Sequence, residues 1–166
     1  MKHIIVNSQN ISKNCLVCGV DNEFGLKTRF YQTDQGELVA VFSTIDQHQS
    51  YPTITHGGIT AAILDEVIGR AVMITDPGTF GVTIELTVCY KKPVPTKTEL
   101  KAIGRITQDR GRIFSGSGEL YLPSGEVAVE AEGRFMKRRL DQITDQDFSV
   151  NEWFAPQGEQ PSEISL

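Results

Sequence analysis

The stretch HGGITAAILDEVIGRAVMI (56–74) decides how this chain is read. Nearly all of it is apolar, yet it opens with His56-Gly57-Gly58 and carries two adjacent acids, Asp65 and Glu66, in its middle. Its length and composition predict one long helix over about 57–74, with Thr53 or Thr55 placed to cap it. A helix that is apolar on every side is buried on nearly every side. The rest of the chain must therefore supply a cover.

The flanking segments supply strands. GLKTRFY (25–31) and GELVAVF (36–42) surround a TDQG turn and read as a hairpin. After the helix, VTIELTVCY (82–90) alternates, with Val82, Ile84, Leu86, Val88 and Tyr90 on one face and Thr83, Glu85, Thr87 and Cys89 on the other. KKPVP (91–95) punctuates the chain. ELKAIGRI (99–106), RIFSGSGELYL (112–122) and EVAVEAEGRFM (126–136) follow as further strands around turn residues. A hairpin, one buried helix and a run of antiparallel strands make an α+β chain. The architecture this predicts is the hotdog fold, a curved antiparallel sheet of about six strands wrapped around one central helix. Residues 1–139 form a single domain in this reading. Residues 140–166 form a polar, acidic tail whose large apolar residues are Phe148, Trp153 and Phe154, and which is either mobile or docked through them.

Composition narrows the function. With 166 residues the chain can bury a core of its own. A net charge of −5 argues against a general nucleic-acid binder, because phosphate contacts need a basic surface. No stretch reaches the roughly 20 apolar residues of a membrane span, and MKHIIVNSQN lacks the features of a signal peptide. Three cysteines fit reduced thiols better than a disulfide framework, so a cytoplasmic location is expected.

The two acids separate on spacing. Glu66 has Arg70 four residues later, the spacing of a helical ion pair. Asp65 has Gly69 there and no basic partner on its own helix. An unpaired carboxylate in an apolar helix is costly and is a candidate for chemistry. At the helix start, Gly57 and Gly58 present N–H groups without intrahelical partners at the positive end of the dipole. Such a turn suits a carbonyl oxygen that gains negative charge. It equally suits a chain that must turn tightly against a sheet. Gly57 and Asp65 stand eight residues apart, about 12 Å along the axis. One reacting carbonyl cannot touch both within one helix. If both take part, two subunits face each other across a two-fold interface.

These residues carry a resemblance. QSYPTITHGGITAAILDEVIGRA (49–71) resembles the signature of PaaI-like acyl-CoA thioesterases in the hotdog superfamily, in which HGG is followed by six variable residues and an acid. CLVCGVDNEFGLKTRF (15–30), VTIELTVCYKKPVP (82–95) and GEVAVEAEGRFMKR (125–138) resemble its flanking segments, so the likeness covers most of residues 15–138. The likeness does not extend to the tail. The resemblance implies hydrolysis of acyl-CoA to a free acid and coenzyme A, with no cofactor and no metal, in a homodimer or dimer of dimers. It implies Asp65 as the catalytic carboxylate, acting as nucleophile or as general base, and the Gly57 N–H as the thioester-carbonyl donor. Gly58 and His56 shape that turn, and Thr83 matches a Ser or Thr that some members place near the attacking water. Some relatives have an asparagine where this chain has Ser50.

Other residues bear on the same reading. His56 fits a structural hydrogen bond at the helix start better than a base. Cys15 and Cys18 form a lone CxxC without the second pair that a structural zinc site needs, and His3 and His48 fall at no ligand-like spacing. Cys89 sits in a strand and reads as inert. Arg110 and Arg112 in the QDRGR turn are the first candidates for phosphate contacts to coenzyme A. Phe80, Tyr51 and the tail aromatics are candidates for contact with the acyl group. The rival readings are a hotdog protein that binds or senses acyl-CoA without cleaving it, and a dehydratase or hydratase acting on acyl thioesters.

Overall fold

The computed structural model describes residues 1–146, 148 and 152–166. Twelve strands and one α-helix run in the order β1 (Lys2–Ser8), β2 (Ile11–Ser12), β3 (Arg29–Thr33), β4 (Leu38–Ser43), β5 (Gln49–Tyr51), β6 (Ile54–Thr55), α1 (Gly57–Arg70), β7 (Phe80–Tyr90), β8 (Glu99–Asp109), β9 (Ile113–Tyr121), β10 (Val127–Arg138), β11 (Trp153–Phe154) and β12 (Glu163–Ser165). Eight of these form one antiparallel sheet in the order β12-β1-β3-β4-β8-β9-β10-β7. The helix packs across its β4, β8, β9, β10 and β7 portion. This is the expected hotdog arrangement.

The sheet is wider than the six strands expected. The residues read as a polar lead form β1, and the end of the chain returns as β12 to pair with it, Lys2 opposite Ser165. The three-residue β12 gives a weak local signal and is ordered by a partner at the far end of the sequence, while β1 is held between β12 and β3. The described part of the tail is docked: β11 pairs with β2, Trp153 opposite Ser12 and Phe154 opposite Ile11. Residues 147 and 149–151 of that tail lie outside the described residues.

The helix is seated where its composition demands. Ile63, Leu64, Val67 and Ile68 are fully buried against the sheet. The backbones approach so closely that a Cβ on Gly104 of β8 would stand 2.6 Å from the Val67 carbonyl oxygen. A Cβ on Gly81 of β7 would meet the Gly69 carbonyl at the same distance. Only glycine fits at such contacts. The α-helix ends at Arg70, and Ala71–Ile74 tighten into a 3-10 turn. The residue that caps its start is His56 rather than Thr53 or Thr55. Thr55 is occupied elsewhere, sharing a hydrogen bond with Thr44 and donating to the Pro95 carbonyl. No helix among the described residues is long and apolar enough to cross a membrane.

Strand β7 corrects one expectation. Its pairing with β10 slips between Glu85 opposite Arg134 and Thr83 opposite Phe135, which leaves Ile84 as an extra residue. A bulge of this kind reverses which side chains face inward beyond it. Leu86 and Val88 pack on the core, as expected. Val82 and Ile84 do not: they are 40% and 46% exposed. Thr83, expected on the opposite face from Leu86, turns toward the helix.

Candidate active site

The bulge brings Thr83 onto Asp65. The Thr83 hydroxyl donates to Asp65 Oδ1 at 2.7 Å. Asp65 itself is half-buried on the helix flank that faces β7. Burial pushes its carboxyl above the ordinary carboxylate range, the Thr83 hydrogen bond partly offsets this, and the neighbouring Glu66 charge adds to the rise. Glu66 pairs with Arg70 at 2.6 Å, as its spacing predicts. The two adjacent acids therefore differ: one is neutralised by a cation, the other held by a hydroxyl.

Arg70 is more than a partner for Glu66. It is buried, donates to the Asn10 carbonyl at 2.9 Å and to Cys18 Sγ at 3.2 Å, and lies between two aromatic rings. Its guanidinium carbon is 4.3 Å from the centre of Phe30 and 4.7 Å from that of Trp153. Both distances are within cation–π range. Cys15, Cys18 and Glu66 gather their ligand atoms within 4.8 Å of one another, a donor set of metal-binding type. Arg70 contacts two of the three, and its charge opposes a cation there. A hydrogen bond from the Cys18 thiol holds the Cys15 thiol down at about 6, while the same bond and burial push Cys18 up.

At the other end of α1, His56 Nδ1 accepts from the Gly58 N–H at 2.9 Å. The imidazole is thus a cap that accepts, with Nδ1 unprotonated in that bond. The Gly57 N–H has no hydrogen-bond partner among the described residues. The Gly57 carbonyl accepts from Tyr90 at 3.0 Å and from Thr60 at 2.8 Å. A Cβ on Gly57 would stand 3.1 Å from the Tyr90 ring, so glycine allows this close approach.

The structure brings Asp65 and Thr83 together and His56, Gly57 and Gly58 together, as two groups at different levels of one helix. It does not join Ser50, Arg110 or Arg112 to either by a hydrogen bond among the described residues. Ser50 is exposed on β5, in the hairpin leading to α1. Arg110 and Arg112 are exposed on the turn between β8 and β9, and neither forms an ion pair among the described residues.

Beside Asp65 opens a cavity of about 430 Å³, lined by Met73, Phe80, Ile143, Phe148 and Trp153 among others. Phe80 and Trp153 meet edge to face at 5.8 Å. Tyr51 is not part of it and is largely exposed. Sequence reasoning gave Tyr90 no role in the site, and it named Trp153 only as one of the tail aromatics that could touch the acyl group. The i,i+4 spacing pointed to Arg70 only as a partner of Glu66, and a tryptophan deep in a polar tail carries no periodicity from which its position could be read.

Residues 53–129 match the model of the thioesterase superfamily. An uncharacterised protein of Schizosaccharomyces pombe is 31% identical over 110 residues, covering 64% of this chain. This chain spans only 62% of the length of that curated relative. Acyl-coenzyme A thioesterase 13 of Mus musculus is 28% identical over 101 residues, 61% of this chain and 71% of the mouse protein. A crystal structure of a Bacillus halodurans protein with CoA superposes with a TM-score of 0.55 at 29% identity, covering 60% of this chain and 66% of the other. By the match over residues 53–129 the chain is similar to the thioesterase superfamily, and its fold is the hotdog fold.

Proposed function

We propose that this protein hydrolyses acyl-CoA thioesters to a free acid and coenzyme A, and that Asp65 drives the attack. The observation that carries this reading is a half-buried carboxylate, unpaired with any cation among the described residues and held by Thr83, that lines a largely apolar cavity in a chain similar to the thioesterase superfamily. A related protein crystallised with CoA supports the choice of thiol carrier. Asp65 takes a proton from water as the water oxygen adds to the thioester carbonyl. The tetrahedral intermediate then expels the coenzyme A thiolate, which recovers the proton. Thr83 donates to one carboxylate oxygen and leaves the other for the water.

The developing oxyanion needs a donor. The Gly57 N–H is free and lies at the positive end of α1, but about 12 Å along the axis from Asp65 of its own chain. The donor to a carbonyl at Asp65 is therefore the Gly57 of a second copy, with Gly58 and His56 fixing that turn. Strand β7 is a sheet edge of 11 residues with Val82, Ile84 and Tyr90 exposed. An open edge of that length invites pairing, which favours a homodimer or dimer of dimers. Arg110 and Arg112, unpaired on their turn, are the proposed phosphate contacts, and Ser50 lies near the helix start in the same scheme. No metal or cofactor takes part. The three free cysteines fit a reducing, cytoplasmic setting.

Release of free thiol from a panel of acyl-CoAs tests the reading: turnover supports it, and saturable binding without thiol release overturns it in favour of a sensor or carrier. The Thr83 contact adds a pH test. The base works only when ionised, so kcat/KM rises with pH through the Asp65 pKa. Thr83→Val removes the hydrogen bond that lowers this pKa, and the acid limb should move to higher pH. An acid limb unchanged in position would mean that Asp65 is not the titrating group.

A further inference from the structure

Protein interiors leave few voids larger than a water molecule. The space beside Asp65 is far larger and opens to solvent, and Trp153, which forms part of its wall, is anchored. Trp153 is held by the β11–β2 pairing, by its edge-to-face contact with Phe80 and by the Arg70 guanidinium beneath it. Ile143, in the turn after Leu140–Gln142, reaches the same cavity from the solvent side. Among the described residues, Ile143 and Trp153 frame a space that Asp65 also lines.

We infer that Trp153 and Ile143 of the C-terminal segment wall an acyl pocket, and that they select an uncharged, apolar acyl group larger than acetyl. The inference rests on the acyl-CoA thioesterase reading above and adds its substrate class. A cavity of about 150 Å³ holds a benzene ring, so 430 Å³ accepts a ring or a chain of several carbons with the carbonyl at Asp65. Acetyl presents a single methyl group and leaves Trp153 uncovered. Acyl groups ending in a carboxylate are disfavoured by charge. The acids Asp65, Glu66 and Glu152 line the cavity, and its cation, Arg70, is already engaged by Glu66, by the Asn10 carbonyl and by Cys18.

Trp153 is the only tryptophan in the chain, so its fluorescence reports on the pocket directly. The test uses the Asp65→Asn protein, which holds thioesters uncleaved, titrated with hexanoyl-CoA, benzoyl-CoA, acetyl-CoA, succinyl-CoA and free coenzyme A. Hexanoyl-CoA and benzoyl-CoA should change Trp153 emission saturably, and the other three should not. In the otherwise native protein, Trp153→Leu should lower the hexanoyl-to-acetyl ratio of kcat/KM by about tenfold, mainly through KM, the discrimination that one or two apolar contacts supply. Ile143→Trp, at an exposed position, narrows the same cavity and should shift preference toward shorter acyl groups even if Trp153→Leu fails to fold. Hydrolysis of hexanoyl-CoA with silent Trp153 emission and unchanged chain-length preference in Ile143→Trp would overturn the pocket while leaving the thioesterase reading intact. A saturable Trp153 response without hydrolysis by the native protein would overturn the thioesterase reading and leave the pocket standing. A preference for acetyl-CoA or succinyl-CoA would overturn the substrate class.

Discussion

Asp65→Asn is expected to lower kcat/KM for the best acyl-CoA by about 10³-fold, within the 10²–10⁴ range of a general base, without lowering the thermal midpoint. The substitution keeps the side chain's shape and its bond to Thr83 but removes the group that accepts the proton. The stability half of the prediction follows from the sign of the pKa shift. Burial raises the carboxyl above its ordinary range, so the folded state holds the proton more tightly than the unfolded chain does. Above the raised pKa the carboxylate is ionised at a cost to folding, and that cost is relieved as pH falls through it. An amide carries no such penalty. Steady-state kinetics with a thermal melt reads both halves. Loss of activity accompanied by a lower midpoint would point to a structural role for Asp65.

Arg70→Leu is expected to destabilise the protein by about 3 kcal/mol, the low end for breaking a buried ion pair, because Glu66 keeps some exposure. For a chain of this size that corresponds to a drop of about 10 °C in Tm. The loss has several parts. Glu66 is left without its partner, the Asn10 carbonyl and Cys18 Sγ lose a donor, and the Phe30 and Trp153 rings lose the plate between them. The double variant Glu66→Leu with Arg70→Leu should recover part of the stability, because it leaves no carboxylate unpaired. Urea denaturation of the single and double variants measures this. Equal losses in both would mean that the ion pair contributes little and that aromatic stacking dominates.

Much of the fold was legible in the chain because its signals are local and repeated. Residues 56–74 are apolar on all sides, and every long strand from β3 to β10 alternates or is bounded by turn residues. The division of labour between Asp65 and Glu66 was legible from one spacing, since Arg70 falls at i+4 from the second acid alone. The departures have non-local causes. The bulge at Ile84 is a feature of register with β10, and no residue in VTIELTVCY announces it. Without it, Thr83 would point away from Asp65, so the resemblance pointed to a side chain that strict alternation placed on the wrong face. Strand β12 is ordered by β1 across the whole chain length, and β1 by β12 and β3 together. Capping went to His56 because Thr55 is drawn into bonds with Thr44 and Pro95 that only the fold creates.

The central claim, that Asp65 of one subunit works with the Gly57 N–H of another, has a direct test in mixed dimers. Asp65→Asn removes the base. Gly57→Pro removes the N–H at the first helical position, where the helix backbone accepts proline and the Tyr90 ring, 3.1 Å from a Cβ at this position, must shift to admit it. Each variant alone should be nearly inactive. After co-refolding in equal amounts, half of the dimers are mixed, and each mixed dimer holds one site with both defects and one with neither. Activity should return to about a quarter of the native value, as a two-fold interface with two shared sites requires. A mixture no more active than its two components, with mixed dimers verified by mass, would contradict the account, because it would place both groups in the same subunit's site.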